Sequence, residues 1–515
     1  MSDARLINED LRPTRDDERT WSRWHIAALW VGMAVCIPTY TLASGMVQEG
    51  WSWKAAVCAV ALGNLVVLFP MLLNAHAGTR YGIPFPVLLR SSFGVFGANI
   101  PALMRALVAC GWFGIQTWIG GSALYYLTLS LFPNAPSLPE ILPVWMGIGT
   151  GEFAAFLVFW LINVAIIIRG VDSIRVLETW AAPCLLAMGA ILFGWAWSHM
   201  GDLSSLLAEQ KPATRSWESA LLGAGITGGV AFWGTLALNI PDFARYAKNQ
   251  KEQVIGQTIG LVPTMTAFAF VGAVVTNATV FIFGTRIADP VELVSQIGGP
   301  VMTVVSMLAL AMATLTTNLA ANVVSPANDF SNVAPHKISF KGGALIATVI
   351  GILIMPWKLY NDAAQYLFTW LIGYGALLGA VAGVMIADYF VIRKCRLEVD
   401  ELYKVNGAYR YWKGVNPIAL FALFVGIFPN VPGFLAALGL VEVDSVWTAI
   451  YERAWFVGFI LSGTTYVSFT RLWRWSRKPE STLEVSPGTS TVMPTGALRE
   501  STDFYEFETT SKTRG

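Results

Sequence analysis

The chain has 515 residues, 55% of them apolar and 13% charged, with a formal net charge of +1 and a mean hydropathy of +0.55. A soluble protein of this length would carry about a quarter charged residues, so that class is excluded. The near-neutral balance also offers no basic surface for nucleic acid.

Residues 1–24 are charged and contain no cleavable leader, which predicts a cytoplasmic tail. Apolar runs of about 20 residues, the length of a bilayer-spanning helix, then begin near Ala27, Ala55, Pro101, Phe153, Val176, Ala220, Ile259, Val301, Ala344, Ala363, Pro417 and Ala454. They predict an all-α integral membrane protein with twelve transmembrane helices. With the N-terminus inside, only Lys54, Lys211, Arg215, Arg286, Lys358 and Arg453 fall outside, while Arg105 lies in span three. Positive loops are retained in the cytoplasm during insertion, so both termini are expected there, in a multi-pass protein of the cell (inner) membrane. Residues 476–515, rich in Ser, Thr, Pro and Glu, predict a disordered cytoplasmic tail.

Two spans are interrupted. Span one carries Pro38 near its middle, and span six carries Gly228 and Gly229, with Pro241 near its end. Proline removes a backbone donor and clashes with the preceding turn, and backbone freed at bilayer depth is tolerated only where it lines a cavity or packs in protein. Because the two spans lie five apart, they suggest an inverted repeat, with residues 25–200 as spans one to five and 217–394 as spans six to ten, followed by two further spans in 416–475.

Polar residues cluster around these breaks. In span three, Trp112 and Gln116 share a helix face; the alternative is a Gln116 that merely bonds a neighbouring helix. Span six adds Trp233. Span eight holds Thr316, Thr317, Asn318 and Asn322 within seven residues, each costly to bury without a partner. The two hydroxyls, with carbonyls released near Gly32 and Val35, resemble an oxygen cage for a small hard cation such as sodium; the alternative has the threonines bonding back to their own helix.

No Asp or Glu is read in spans one, three or eight, and Asp242 and Asp388 read as interfacial ion pairs with Arg245 and Arg393. A site of indole faces and amide edges without fixed charge suits a neutral planar ring with adjacent N–H and C=O groups, such as a nucleobase. The five cysteines form no C-x-x-C pair and read as free thiols. The histidines are too scattered for a metal cluster.

The stretches "NAHAGTRYGIPFPVLLRSSFGVFGANIPALMRA", "GWFGIQTW", "LNIPDFARYAK", "AANVVSPA", "GVMIADYFVIRK" and "YRYWKGVN" resemble the nucleobase:cation symporter family, which includes the hydantoin, allantoin, uracil and cytosine permeases. The first is most similar to the allantoin and uracil branch. The resemblance implies a LeuT-like fold in which Trp112 and Trp233 sandwich the ring and Gln116 and Asn322 bond its amide edge. It further implies a sodium-type site from backbone oxygens of Gly32, Val35 and Ala313 with the hydroxyls of Thr316 and Thr317. Cys36 stands where relatives often place an amide, and Phe232 where the hydantoin relative has glycine, which would narrow the pocket.

The implied activity is cation symport by alternating access, with sodium favoured over a proton. No nucleotide-binding loop, organic cofactor or obligate protein partner is implied, and no nucleophile, base and metal converge for an enzyme. A symporter of another neutral heterocycle, such as a vitamin ring, and a solute channel are the rival readings.

Overall fold

The computed structural model describes residues 3 and 5–476 except 135, 137, 170, 171, 298 and 361; the side chains of 172–182, 184, 300–302 and 474–476 are not described. The expected tail at 476–515 lies almost wholly outside these residues, as does the side chain of Cys184. Cys36, Cys58, Cys110 and Cys395 are free thiols.

Helix coincides with every expected span. Among the described residues seven helices are continuous, long and apolar enough to cross a bilayer, and the halves of span one, Arg23–Ala34 and Ile37–Gln48, make an eighth as a pair bent by 53°. The expected twelve differ from that number mainly by breakage and length. Span six is divided into Trp217–Leu222, Ala224–Phe232, Gly234–Asn239 and Pro241–Ala244, and span nine is the short Phe340–Leu353. The long helices are stopped by local chemistry: the Ser52 side chain accepts from the Ala55 N–H at the start of Trp53–Tyr81, and Gly82 ends that helix at φ 70°. That left-handed conformation costs a glycine little.

The two breaks fall close to, but not at, the residues that predicted them. In span one the chain is extended at Cys36, and Pro38 lies within the first turn of the second half, where its missing N–H breaks no helical bond. In span six Gly228 and Gly229 sit inside the Ala224–Phe232 helix, and the interruption comes at Trp233, with φ −97° and ψ 9°. Gly229 serves packing instead. A Cβ on the facing Gly63 of Trp53–Tyr81 would come within 2.9 Å of the Gly229 backbone, so the glycines bring the two helices together.

Residues 3 and 5–23, within the expected N-terminal tail, are docked on the bundle. Leu6 and Leu11 are buried. The Thr14 N–H donates to Gly82 O at 2.8 Å, Asp3 N–H to Tyr403 O at 2.9 Å, and Lys248 N–H to Trp21 O at 2.9 Å. The segment thus crosses the face of the bundle that bears the N-terminus, bonding to the loops after spans two, six and ten.

Candidate functional site

One cavity is lined by Cys36, Trp112, Gln116, Phe232, Trp233, Thr317 and Asn322, together with Met33, Thr235, Leu236 and Ala321. The six residues expected to contact a substrate therefore face common space. Its free volume is about 30 Å³, room for water but less than a heterocyclic ring needs. The constriction is aromatic: the Phe232 ring meets Trp112 edge-on at 5.2 Å between centroids. A larger cavity of about 530 Å³ flanks spans three, ten and eleven, but its wall is almost all carbon.

The indoles are fixed from behind. Trp112 Nε1 donates to the Tyr374 hydroxyl at 3.3 Å, which donates to Ala231 O at 2.8 Å. Trp233 Nε1 donates to Met265 Sδ at 2.7 Å, and its ring lies edge-on to Trp30 at 5.0 Å. Gly111 lets this wall close up, because a Cβ there would come within 2.2 Å of the Trp370 ring.

The amides differ in how they are held. Asn322 Nδ2 donates to Asn318 Oδ1 at 3.1 Å. Asn318 Nδ2 in turn faces Phe113 O, Thr117 Oγ1 and Asn163 Oδ1 at 3.2–3.3 Å. Gln116 Oε1, by contrast, is buried without a protein partner. An unpaired buried acceptor costs about 1–3 kcal/mol, and a ligand N–H would relieve it.

Beside this cavity, Gly32 lies on Arg23–Ala34, with Val35 just past its end, and Ala313, Thr316 and Thr317 lie on the contacting helix Pro300–Asn322. The Val35 N–H bonds Val31 O, Cys36 N–H bonds Ala34 O and Thr39 N–H bonds Cys36 O, so these amides bypass the carbonyls of Gly32 and Val35. Open space lies beside Gly32. Thr317 Oγ1 is buried and unpartnered. Thr316 does bond back, donating to Ala313 O at 2.8 Å, which leaves lone pairs on both oxygens. Two bypassed carbonyls and an orphaned hydroxyl are hard oxygen donors of the kind sodium takes.

Comparisons with known proteins bear on most of the chain. Residues 13–458 match the family described as "Permease for cytosine/purines, uracil, thiamine, allantoin". This chain belongs to that permease family. It is 43% identical to the purine-uracil permease NCS1 of Arabidopsis thaliana over 92% of this chain and 79% of that protein. It is 39% identical to the allantoin permease of Bacillus subtilis (strain 168) over 91% and 94%. Among solved structures it is similar to Mhp1, a nucleobase-cation-symport-1 family transporter, in a closed conformation with bromovinylhydantoin bound. The TM-score is 0.73 at 25% identity, covering 92% of this chain and 97% of that one. The fold is the LeuT-like one expected.

Two expectations about charge in the permease are corrected. The span-eight helix extends through Val333, so it contains a carboxylate after all: Asp329, wholly buried, pairs with the equally buried Arg105 at 3.1 Å. Asp242 forms no ion pair with Arg245; its Oδ1 accepts from the Phe85 N–H at 2.8 Å, while Arg245 bonds Asp10 O and the Tyr246 hydroxyl. Asp388 and Arg393 do pair, at 2.7 Å. The sequence reading missed Tyr374, whose signal is a lone hydroxyl in the apolar run "LIGYGALLG": buried in such a span, it must find a partner.

Proposed function

We propose that this permease is a sodium-coupled symporter that imports a small, neutral, planar ring bearing adjacent N–H and C=O groups, such as uracil, allantoin or hydantoin. The supporting observation is the pairing of an unpartnered Gln116 Oε1 with indole walls in one cavity without fixed charge. The names of the relatives, purine-uracil permease and allantoin permease, point the same way. In this reading Trp112 and Trp233 bracket the ring, Gln116 and Asn322 bond its amide edge, and Phe232 and Cys36 limit its size. Since the cavity is smaller than such a ring, Phe232 or the span-six segment must move to admit it.

Gly32, Val35, Ala313, Thr316 and Thr317 would supply the oxygens of the sodium site. A bound cation there joins span one to span eight and stabilises the arrangement that holds the ring, so ring and ion reinforce each other's binding reciprocally. Residues 25–200 and 217–394 act as the two inverted repeats that rock about the site, with 416–475 accessory and both termini in the cytoplasm of an inner-membrane protein.

Uptake of labelled uracil, allantoin and hydantoin into proteoliposomes, with and without a sodium gradient, tests this reading. Saturable, sodium-dependent uptake of one ring is expected. Gln116→Ala should raise its KM on the order of ten- to hundredfold, the loss of a buried hydrogen bond worth about 1–3 kcal/mol. Non-saturable flux, or uptake indifferent to Gln116→Ala, would overturn it.

A further inference from the structure

A second, smaller cavity of about 10 Å³ lies beyond the Trp30–Trp233 pair, lined by Trp30, Gln253 and Gln257 with Ile26, Phe243 and Ala244 among the apolar contacts. It sits toward the N-terminal ends of spans one and seven and the C-terminal end of span six, hence between the central cavity and the face that bears the N-terminus. Span seven supplies a ladder of amides. Gln250 Nε2 donates to His76 O at 2.9 Å, Gln253 Nε2 to Gln250 Oε1 at 3.0 Å, and Gln257 Nε2 to Gln253 Oε1 at 2.6 Å.

All three amides point their donors the same way, so the ladder ends on a bare acceptor. Gln257 Oε1 has no partner, and neither has Trp30 Nε1. Gln257 is 1% exposed and Trp30 is fully buried. An orphan acceptor and an orphan donor thus line one cavity, an arrangement that costs stability unless something satisfies both. Glycine fixes the spacing: a Cβ on Gly260, one turn beyond Gln257, would come within 2.7 Å of Trp30 Cβ, so Trp30 lies directly against the span-seven backbone.

We propose that Gln257 and Trp30 form a second station for the transported ring on its way to the cytoplasm, Gln257 Oε1 accepting its N–H and Trp30 Nε1 donating to its C=O. The inference rests on the ring substrate and orientation proposed above. Span six is interrupted at Trp233, and the segment beyond it, carrying Phe243 and Ala244, forms the far wall. When that wall withdraws and the Trp30–Trp233 contact opens, the two cavities merge, and the ring leaves one pair of hydrogen-bonding groups for another instead of crossing bare hydrocarbon.

The test is to measure equilibrium binding and initial uptake of labelled allantoin and uracil for the wild-type protein, Gln257→Leu and Trp30→Phe. The variants should bind the ring with Kd within twofold of wild type, while uptake kcat falls on the order of tenfold, the cost of one lost hydrogen bond at a release barrier. Unchanged kcat in both would overturn the station. So would a parallel loss of Kd and kcat, which would place these residues in support of the central site. Should Gln257→Leu fail to fold, Trp30→Phe, which keeps an aromatic ring, decides. If the wild-type protein binds neither ring, it is the proposed function that fails.

Discussion

The two broken spans look alike in outline and differ in what happens to their freed carbonyls. At the span-six break Tyr374 donates to Ala231 O, and, one turn past Trp233, Asn74 Nδ2 donates to Ala237 O at 2.7 Å, so protein side chains close that break. At the span-one break the neighbouring amides turn to other carbonyls and bypass Gly32 and Val35. In the proposed reading, oxygen left open on span one together with the orphaned Thr317 hydroxyl of span eight serves a cation, whereas a capped break that presents Phe232 and Trp233 serves an aromatic ring. Helix interruption therefore does not by itself define a site. The capping around it sets whether the break offers oxygen or surface.

Substitutions can break this division of labour or sharpen it. Trp233→Ala should have the largest effect: losing one stacking wall, worth about 1–3 kcal/mol, raises KM for the ring on the order of ten- to hundredfold with sodium activation preserved, read from uptake at varied ring and sodium. Thr317→Ala should act on the other axis, raising the sodium concentration for half-activation about tenfold; an unchanged sodium curve would remove Thr317 from the cation site. Tyr374→Phe uncaps Ala231 and releases Trp112 Nε1, and should cost about 1–2 kcal/mol, seen as a lower Tm. The smallest effect is expected from Gly229→Ala, whose Cβ would meet Ala59 O at 3.2 Å. A loss under about 1 kcal/mol with transport retained fits a packing role, and abolished transport would make the glycine pair the working break after all.

What could be read in advance follows the range of the interactions. Trp112 and Gln116 share a helix face by spacing alone, and Asn318 bonds Asn322 one turn away; such relations are local and visible in the order of residues. Partners set by tertiary packing were not visible. Arg105 finds Asp329 across 224 positions, and Tyr374 reaches Trp112 across 262. The glycine pair misled for a physical reason: glycine weakens a helix but also lets two helices touch, and the neighbour that decides, Gly63, lies far away in the chain. Residues 3–23 read as a tail because their charges suit water, although Leu6 and Leu11 supply the anchors that dock them.

Both indole N–H groups around the cavity are already engaged, Trp112 with Tyr374 and Trp233 with Met265. In the proposed reading the flat walls thus judge thickness and outline and do not read heteroatoms, a task left to the side-chain amides of Gln116 and Asn322. A ring of the right shape with its nitrogens methylated should still slip between the walls, yet offer no N–H to the unpartnered Gln116 Oε1. Such a compound would be a blocker that occupies the permease without being carried.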